Sequence, residues 1–144
     1  MNTDKLKAYY ANYLSAGLDE LKEVYDENIV FRDPLHQING LDKLIQYFAD
    51  GRKGLTQCEF EFHREVLSEQ ANIAVLEWTM CFGHARLSSG QKVVDGCSMV
   101  EIDPVSGLVV AHADYFDVGA MIYENIPVFG RAVSFVKRKA SGAI

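Results

Sequence analysis

Apolar residues in the first third of the chain recur at the three- and four-residue spacing of amphipathic helices. This spacing predicts helices over 3–16 and 18–25 and a third helix that opens at Gly40. A short strand over 28–33 separates the second helix from the third and stops at Pro34, which cannot donate to a strand ladder. The predicted buried stripes are Leu6, Tyr9, Tyr10, Tyr13 and Leu14, then Leu18, Leu21, Val24 and Tyr25, then Leu41, Leu44, Ile45 and Phe48.

From residue 57 onward the period changes to two, as is typical of strands. Strands are predicted over 57–67, 71–84, 92–102 and 107–117. Their faces are well separated: Cys58, Phe60 and Phe62 oppose Glu59, Glu61 and His63, and Ala74, Leu76, Trp78, Met80 and Phe82 share one face of the next strand. Three helices followed by four long antiparallel strands indicate an α+β fold. The helices should pack on the concave face of a strongly curved sheet, leaving a cone whose open mouth is a natural pocket.

The last predicted strand places two titratable residues on one face. By alternation, Leu108, Val110, His112, Asp114 and Phe116 lie together. His112 and Asp114 then project side by side between large apolar neighbours. Such a pair lines a cavity, or it belongs to a solvated outer face.

Beyond this strand the helical period returns. Asp117 can cap a helical turn over 118–124, which Pro127 interrupts. An amphipathic stripe follows, made of Val128, Phe129, Ala132, Val133, Phe135 and Val136 and finished by three basic residues, 137–139. Basic residues suit a helix C-terminus. The segment covers the cone mouth, packs on a partner subunit or lies on a membrane surface; the first two are preferred, because core packing is the commoner cause of such a stripe.

Composition narrows the class of protein. The 144 residues predict a single domain, 1–144, with a core over about 4–117 and a helical extension over 118–140. A net charge of −6 argues against nucleic-acid binding. Three widely spaced cysteines indicate reduced thiols in a cytoplasmic protein, and no segment has the length of a membrane span. Neither a glycine-rich phosphate loop nor metal-ligand spacing occurs, so no cofactor or metal is expected.

The order of elements, with Tyr25-Asp-Glu-Asn-Ile-Val-Phe-Arg-Asp-Pro34 and a last strand ending Asp114-Tyr-Phe-Asp117, resembles the SnoaL-like branch of the nuclear-transport-factor-2-like superfamily. The resemblance runs from about Leu6 to Asp117. It implies a cone-shaped α+β fold, a deep apolar pocket and homodimers formed through the outer sheet face. Members include ketosteroid isomerases, polyketide cyclases, epoxide hydrolases, dehydratases and noncatalytic binding proteins, so the fold alone does not decide activity.

The resemblance to the isomerases extends to single positions. Asp33 lies where they carry a general-base aspartate, and Tyr10 looks like their oxyanion-hole tyrosine. Ser98 occupies the position of their second oxyanion donor, a neutral carboxylic acid; its hydroxyl can donate, but more weakly near a developing oxyanion. Asp114 resembles the acid that cyclase- and hydrolase-like members use on the final strand.

The candidate site combines these positions with the pocket-facing pattern. Asp33, Asp114, His112 and Tyr10 are the catalytic candidates, and His36, Trp78, Ser98, Met80 and Phe116 are the ligand-binding candidates. Alternatives stay open: Asp33 before a proline can simply end the strand, His36 can be a loop residue, and Trp78 can be core.

The orientation of Asp95 is also open, while His63 and His84 are predicted at the surface. The sequence thus predicts a pocket for a small, largely apolar molecule, with cofactor-free acid–base chemistry of the isomerase, cyclase or hydrolase kind. The competing prediction is a noncatalytic module that engages a partner or membrane through its C-terminal helix.

Overall fold

The computed structural model describes residues 1–87, 90–122 and 129–143. The helices are α1 (Asp4–Ala11), a 3-10 helix (Leu18–Glu23), α2 (Leu41–Arg52), α3 (Val118–Met121) and α4 (Phe129–Ala143). The strands are β1 (Tyr25–Arg32), β2 (Gln37–Asn39), β3 (Leu55–Ser68), β4 (Ile73–His84), β5 (Lys92–Ile102) and β6 (Val109–Phe116). The predicted α+β class is confirmed.

The described strands form one six-stranded sheet in the order β2-β1-β6-β5-β4-β3. Its ladders are antiparallel except between β1 and β6, which run parallel and pair Phe31 with His112. The sheet is therefore mixed, whereas the sequence predicted an antiparallel one. The parallel pair places β1 beside the strand that carries the candidate residues His112 and Asp114.

The order of the helices was predicted correctly, and the first two were predicted too long. α1 ends at Ala11. The second helix is a 3-10 helix that stops at Glu23, and Tyr25 opens β1 with only 1 % of its surface exposed. The apolar spacing of Leu18, Leu21, Val24 and Tyr25 fitted a helix equally well, so spacing alone could not separate the two elements. Strand β2 is three residues long and was missed.

Two predicted segments include residues outside the described ranges. The first is the turn predicted over 88–91. The second is the end of the helical turn predicted over 118–124, together with Pro127 and Val128. Within the described part, α3 begins after Asp117, whose carboxylate accepts hydrogen bonds from the Gly119 and Ala120 amides, as the capping prediction required. α4 continues to Ala143, so its basic cluster 137–139 precedes the last turn rather than ending the helix.

The predicted face assignments hold in β3 and β4 and fail at the start of β6. A bulge lets Ile102 of β5 pair with Val109 while Val100 pairs with His112. Val109, rather than Val110, therefore shares the inner face with His112 and is 3 % exposed. From His112 onward the alternation is as predicted. A bulge adds one residue without any periodic signature, which explains the error.

The helices pack on the inner face of the sheet. Leu6, Tyr9 and Tyr10 of α1 and Leu44 and Phe48 of α2 are buried there. Each such side chain, fully buried, contributes roughly 1.5–3 kcal/mol. None of the described helices is long and apolar enough to cross a membrane. The layer of helices and the curved sheet together enclose the space considered next.

Candidate functional site

A cavity of about 810 Å³ lies between the helices and the inner face of the sheet. Ten of its lining residues are Phe, Tyr or Trp, and we therefore call it the aromatic cavity: Tyr10, Tyr13, Phe31, Tyr47, Phe48, Phe60, Phe62, Trp78, Phe82 and Phe116. The nine candidates named from the sequence all border it: Tyr10, Asp33, His36, Trp78, Met80, Ser98, His112, Asp114 and Phe116. The alternating inner faces of β4, β5 and β6 bring most of them together.

The most connected polar group at this cavity is the Asp114 carboxylate. Its Oδ1 lies 2.7 Å from His112 Nε2 and 2.5 Å from Ser98 Oγ, which donates to it. The Asp114 side chain is 14 % exposed, whereas that of His112 is fully buried. Within the described part of the chain, Asp114 Oδ2 accepts no hydrogen bond. One oxygen is thus held in place and the other is available to a ligand.

Trp78 completes the support on one side of Asp114. Its indole Nε1 donates to Ser98 Oγ at 2.9 Å, so Ser98 turns its own O–H toward Asp114. The indole can lie flat on β5 because the residue beneath it is Gly96. A Cβ at Gly96 would meet the indole ring at 2.4 Å. This glycine is therefore a packing requirement of the site.

Tyr25 completes the support on the other side and was not among the predicted site residues. Its hydroxyl lies 2.8 Å from His112 Nδ1 and 3.1 Å from the Tyr10 hydroxyl. Burial raises the pKa of Tyr25 well above its ordinary value, although the hydrogen bond with Tyr10 opposes this shift. Burial, followed by the charges of Tyr25 and Asp114, raises the pKa of Tyr10 well above its ordinary value. Both phenols therefore stay neutral.

With neutral phenols, we assign one direction to the whole chain of hydrogen bonds. Tyr10 donates to Tyr25, Tyr25 donates to His112 Nδ1, and His112 Nε2–H donates to Asp114. In this arrangement Nδ1 of His112 accepts one hydrogen bond and Nε2–H donates the other, which assigns the Nε2–H tautomer. The same arrangement also commits the Tyr10 hydroxyl to Tyr25. The expected role of Tyr10 as donor to a substrate oxygen stays a prediction.

Asp33 borders the same cavity but is bound differently. Its Oδ1 accepts the backbone amides of Leu35 and His36 at 2.8 and 2.7 Å, and the His36 ring lies 3.1 Å away. Its Oδ2 accepts the Tyr47 hydroxyl. The side chain is only 5 % exposed. These contacts are those of a residue that ends β1 and shapes the following turn, the alternative interpretation of an aspartate before proline.

The other polar residues considered from the sequence, Asp95, His63 and His84, lie in two different environments. Asp95 faces outward, where Thr79 Oγ1 donates to it at 2.6 Å and His63 Nε2 lies 2.7 Å from the same hydroxyl. His63 is exposed, as predicted. His84 is half-buried and borders the cavity, so it is less exposed than predicted. Its imidazole packs against Gly54, where a Cβ would lie 2.7 Å from the ring.

The Cys58 thiol also borders the cavity, but its reactivity is low. Burial, and then the nearby Cys81, raises the pKa of the Cys58 thiol to about 12, so it is protonated and a poor nucleophile at neutral pH. Among the described residues, no three His, Cys, Asp or Glu side chains are grouped so as to hold a metal ion. What the arrangement can do chemically is proton transfer, centred on Asp114.

An aromatic cavity on a curved α+β sheet, with a carboxylate–histidine pair on its last strand, defines the class of protein. The model of the SnoaL-like domain matches residues 6–112. The chain therefore belongs to the SnoaL-like domain family. No curated protein matches its sequence.

Solved structures agree on the fold. A putative SnoaL-like polyketide cyclase from Jannaschia sp. CCS1 is 12 % identical and superposes with a TM-score of 0.75 over 88 % of this chain and 91 % of that one. A Catenulispora acidiphila protein with a ketosteroid isomerase-like fold, crystallised with trimethylamine, is 8 % identical, with a TM-score of 0.74 over 88 % and 96 %. A LEH-like epoxide hydrolase from M. tuberculosis is 18 % identical, with a TM-score of 0.66 over 82 % and 84 %. At these identities the likeness shows the fold alone.

Proposed function

We propose that this protein binds a small, largely apolar molecule in the aromatic cavity and removes a proton from carbon next to a carbonyl, with Asp114 as the base. The observation that carries the proposal is the one-sided hydrogen bonding of Asp114, which holds Oδ1 and leaves Oδ2 for a ligand. Ser98 and His112 hold the carboxylate in one orientation, which favours a productive approach to the substrate. No cofactor is required for this step.

In the proposed reaction, Asp114 takes the proton and becomes a carboxylic acid while negative charge moves to the carbonyl oxygen of the substrate. The same acid returns the proton to another position, as in an isomerisation. In a cyclisation the carbanion instead attacks a second carbonyl, and the acid then gives its proton to the alkoxide that forms there. His112 donates to Asp114 throughout and orients it, rather than touching the substrate. General acid–base catalysis of this kind contributes typically about 10²–10⁴-fold to a rate.

We propose Tyr13, in place of Tyr10, as the donor to the substrate oxygen. Tyr13 borders the cavity, and within the described part of the chain its hydroxyl makes no hydrogen bond. Burial raises its pKa above the ordinary value, so it remains a neutral phenol and a donor. Tyr13→Phe should then slow the reaction more than Tyr10→Phe does.

The test uses the only tryptophan of the chain, Trp78, which lies in the cavity wall beside Ser98. Apolar ketones and cyclic enones are titrated against the protein, and quenching of its fluorescence identifies those that bind. Each binder is then incubated with the protein in D₂O, and deuterium exchange next to the carbonyl is followed by NMR.

Wild-type protein should accelerate exchange, and Asp114→Asn should abolish the acceleration while fluorescence quenching persists. Binding without exchange would show a noncatalytic pocket, and exchange that survives Asp114→Asn would remove Asp114 as the base. Absence of quenching by every compound would reject an apolar ligand near Trp78.

We also propose a homodimer through the outer sheet face, in a reducing, cytoplasmic environment that suits three free cysteines. Val30, Val93, Met99 and Tyr115 expose between 39 % and 57 % of their surface on that face, which favours a protein contact. Met99→Glu should convert a dimer to a monomer in light scattering. An unchanged mass would reject this face as the interface.

A further inference from the structure

The C-terminal helix α4 has one side that faces the rest of the protein. Gly130 is buried, and Val133 and Ser134 are half-buried. Lys137 pairs with Asp117, the capping residue of α3, and packs closely over Gly119, where a Cβ would lie 3.0 Å from Lys137 Nζ. These positions recur at three- and four-residue intervals, so they mark a single inward side of the helix.

The outward side of α4 combines exposed apolar and basic residues. Phe129, Phe135 and Val136 are 64 %, 53 % and 63 % exposed, although a soluble surface rarely groups large apolar side chains. Arg131, Arg138 and Lys139 are exposed on the same helix. The Lys139 ammonium lies over the Phe135 ring, 5.7 Å from its centre, so a cation and an aromatic side chain are in contact on this surface.

The charge of α4 is opposite to that of the rest of the chain. Of the 14 basic and 20 acidic residues, four basic ones and no acidic one lie in Phe129–Ala143. The chain without α4 therefore carries −10 against +4 on the helix. A helix with this composition is attracted to a negatively charged surface.

We propose that α4 docks on an anionic lipid surface. Interfacial helices of this kind insert their apolar side chains at the headgroup boundary and place lysine and arginine among the lipid phosphates. Apolar and basic residues share the exposed side, and a protein partner would need a carboxylate for each of these cations. A fluid lipid surface supplies negative charge at every position, and the cytoplasmic leaflet is negatively charged.

This inference goes beyond the proposed function and also suggests how the cavity obtains its ligand. Met121 of α3 and the adjacent Ile122 border the aromatic cavity. Because Asp117 ties α3 to α4 through Lys137, the helix that would meet the lipid lies next to one wall of the cavity. Apolar molecules concentrate in bilayers, so docking would bring the cavity close to its source of ligand.

The test is co-sedimentation of the full chain with vesicles of phosphatidylcholine alone and of phosphatidylcholine mixed with phosphatidylserine, at low and high salt. We expect binding to the mixed vesicles at low salt, weakened by salt. Arg138→Gln with Lys139→Gln should weaken it roughly 25-fold, and Phe135→Ala with Val136→Ala by about tenfold or more. Alanine keeps the helix propensity of the exposed positions.

Two matched controls change an exposed apolar and an exposed basic residue elsewhere. Val105→Ser alters a side chain that is 94 % exposed in the turn between β5 and β6, and Lys5→Gln alters one on α1. Both should bind like wild type.

Equal binding to neutral vesicles, no binding at low salt, or equal loss in the controls would overturn the proposal. Self-association lost in the α4 variants, without vesicle binding, would assign the helix to a second copy of the chain and overturn it too. Catalysis enters none of these readouts, so their failure is separate from failure of the proposed function.

Discussion

Two aspartates border the same cavity and differ in how their oxygens are used. Asp33 has both carboxylate oxygens engaged, mainly by groups two or three residues away along the chain, together with Tyr47 of α2. Asp114 has one oxygen engaged, by Ser98 of the neighbouring strand and by His112. The Asp33 carboxylate is held by its own turn, whereas the Asp114 carboxylate is held by side chains of two neighbouring strands and keeps one oxygen without a hydrogen bond from the described residues.

The comparison teaches that lining a cavity is a weak criterion for a base. Burial is similar, since the Asp33 and Asp114 side chains are 5 % and 14 % exposed. What separates them is the number of unoccupied acceptor positions. A carboxylate that already accepts two amides and a phenol would have to lose those bonds to take a substrate proton, and each bond to a charged group is worth about 1.5–3 kcal/mol.

The largest expected effect is on catalysis. Asp114→Asn should lower the rate of deuterium exchange by about 10²–10⁴-fold, because the amide cannot accept the proton. Asp33→Asn should lower it by less than about tenfold, since it only perturbs the turn. Both variants are assayed by NMR with a ketone that quenches Trp78. Equal losses in the two variants would mean that occupancy of the oxygens does not identify the base.

The next-largest effect is on folding stability, where we expect substitution of Asp33 to cost more than substitution of Asp114. Asp33→Ala removes the acceptor of two amides and of the Tyr47 hydroxyl, which should cost about 1.5–3 kcal/mol, as for other hydrogen bonds to a charged group. Asp114→Ala should cost less, because its partners Ser98 and His112 can rotate or bind water in the cavity. Urea unfolding measures both. A larger loss for Asp114→Ala would contradict the structural role of Asp33.

Tyr25 gives a smaller effect that tests the orientation of Asp114. Tyr25→Phe removes the donor to His112 Nδ1, at a cost of about 1–2 kcal/mol. It also removes the reason for the Nε2–H tautomer, so the ¹⁵N NMR signals of His112 should change. Tyr10→Phe is the control: it removes the outer donor but keeps the bond from Tyr25 to His112, and the tautomer should persist. An unchanged His112 spectrum in Tyr25→Phe would contradict the proton assignment.

Sequence periodicity predicted the parts of this site that depend on one face of one strand. Phe60 and Phe62, Trp78 and Met80, and Asp114 face inward because each strand has one buried side. It could not predict Tyr25, whose contact with His112 spans 87 residues and a parallel pairing that no local pattern marks. Tyr25 also completed a plausible helical stripe.

The choice between the two aspartates was likewise beyond the sequence. The pair Asp33-Pro34 suggested both a base and a strand end, and only the amides of Leu35 and His36 and the hydroxyl of Tyr47 distinguish them. Tyr47 was missed because the predicted stripe of α2 used Leu44, Ile45 and Phe48. Side-chain hydrogen bonds between elements leave little trace in hydrophobic periodicity, whereas strand faces leave a clear one.

The smallest expected effect concerns a third aspartate, Asp117. Asp117 is about half exposed, and its carboxylate pairs with Lys137. The hydrogen bond from Lys137 holds the pKa of Asp117 below its ordinary value. The unfolded chain therefore binds this proton more readily than the folded one, and the pair stabilises the fold fully above the ordinary carboxyl pKa of about 4. The contribution is lost as pH falls through the lowered pKa.

Asp117→Asn isolates that charge pair, because asparagine caps a helix about as well as aspartate. The loss of unfolding free energy near neutral pH should be below about 1 kcal/mol, as for other exposed pairs, and should shrink in salt. At a pH below the lowered pKa the variant and wild type should unfold at the same urea concentration. A difference that persisted there would mean that Asp117 acts through its cap rather than its charge. Asp117 would then resemble Asp33, whose carboxylate stabilises the fold by accepting hydrogen bonds from backbone amides.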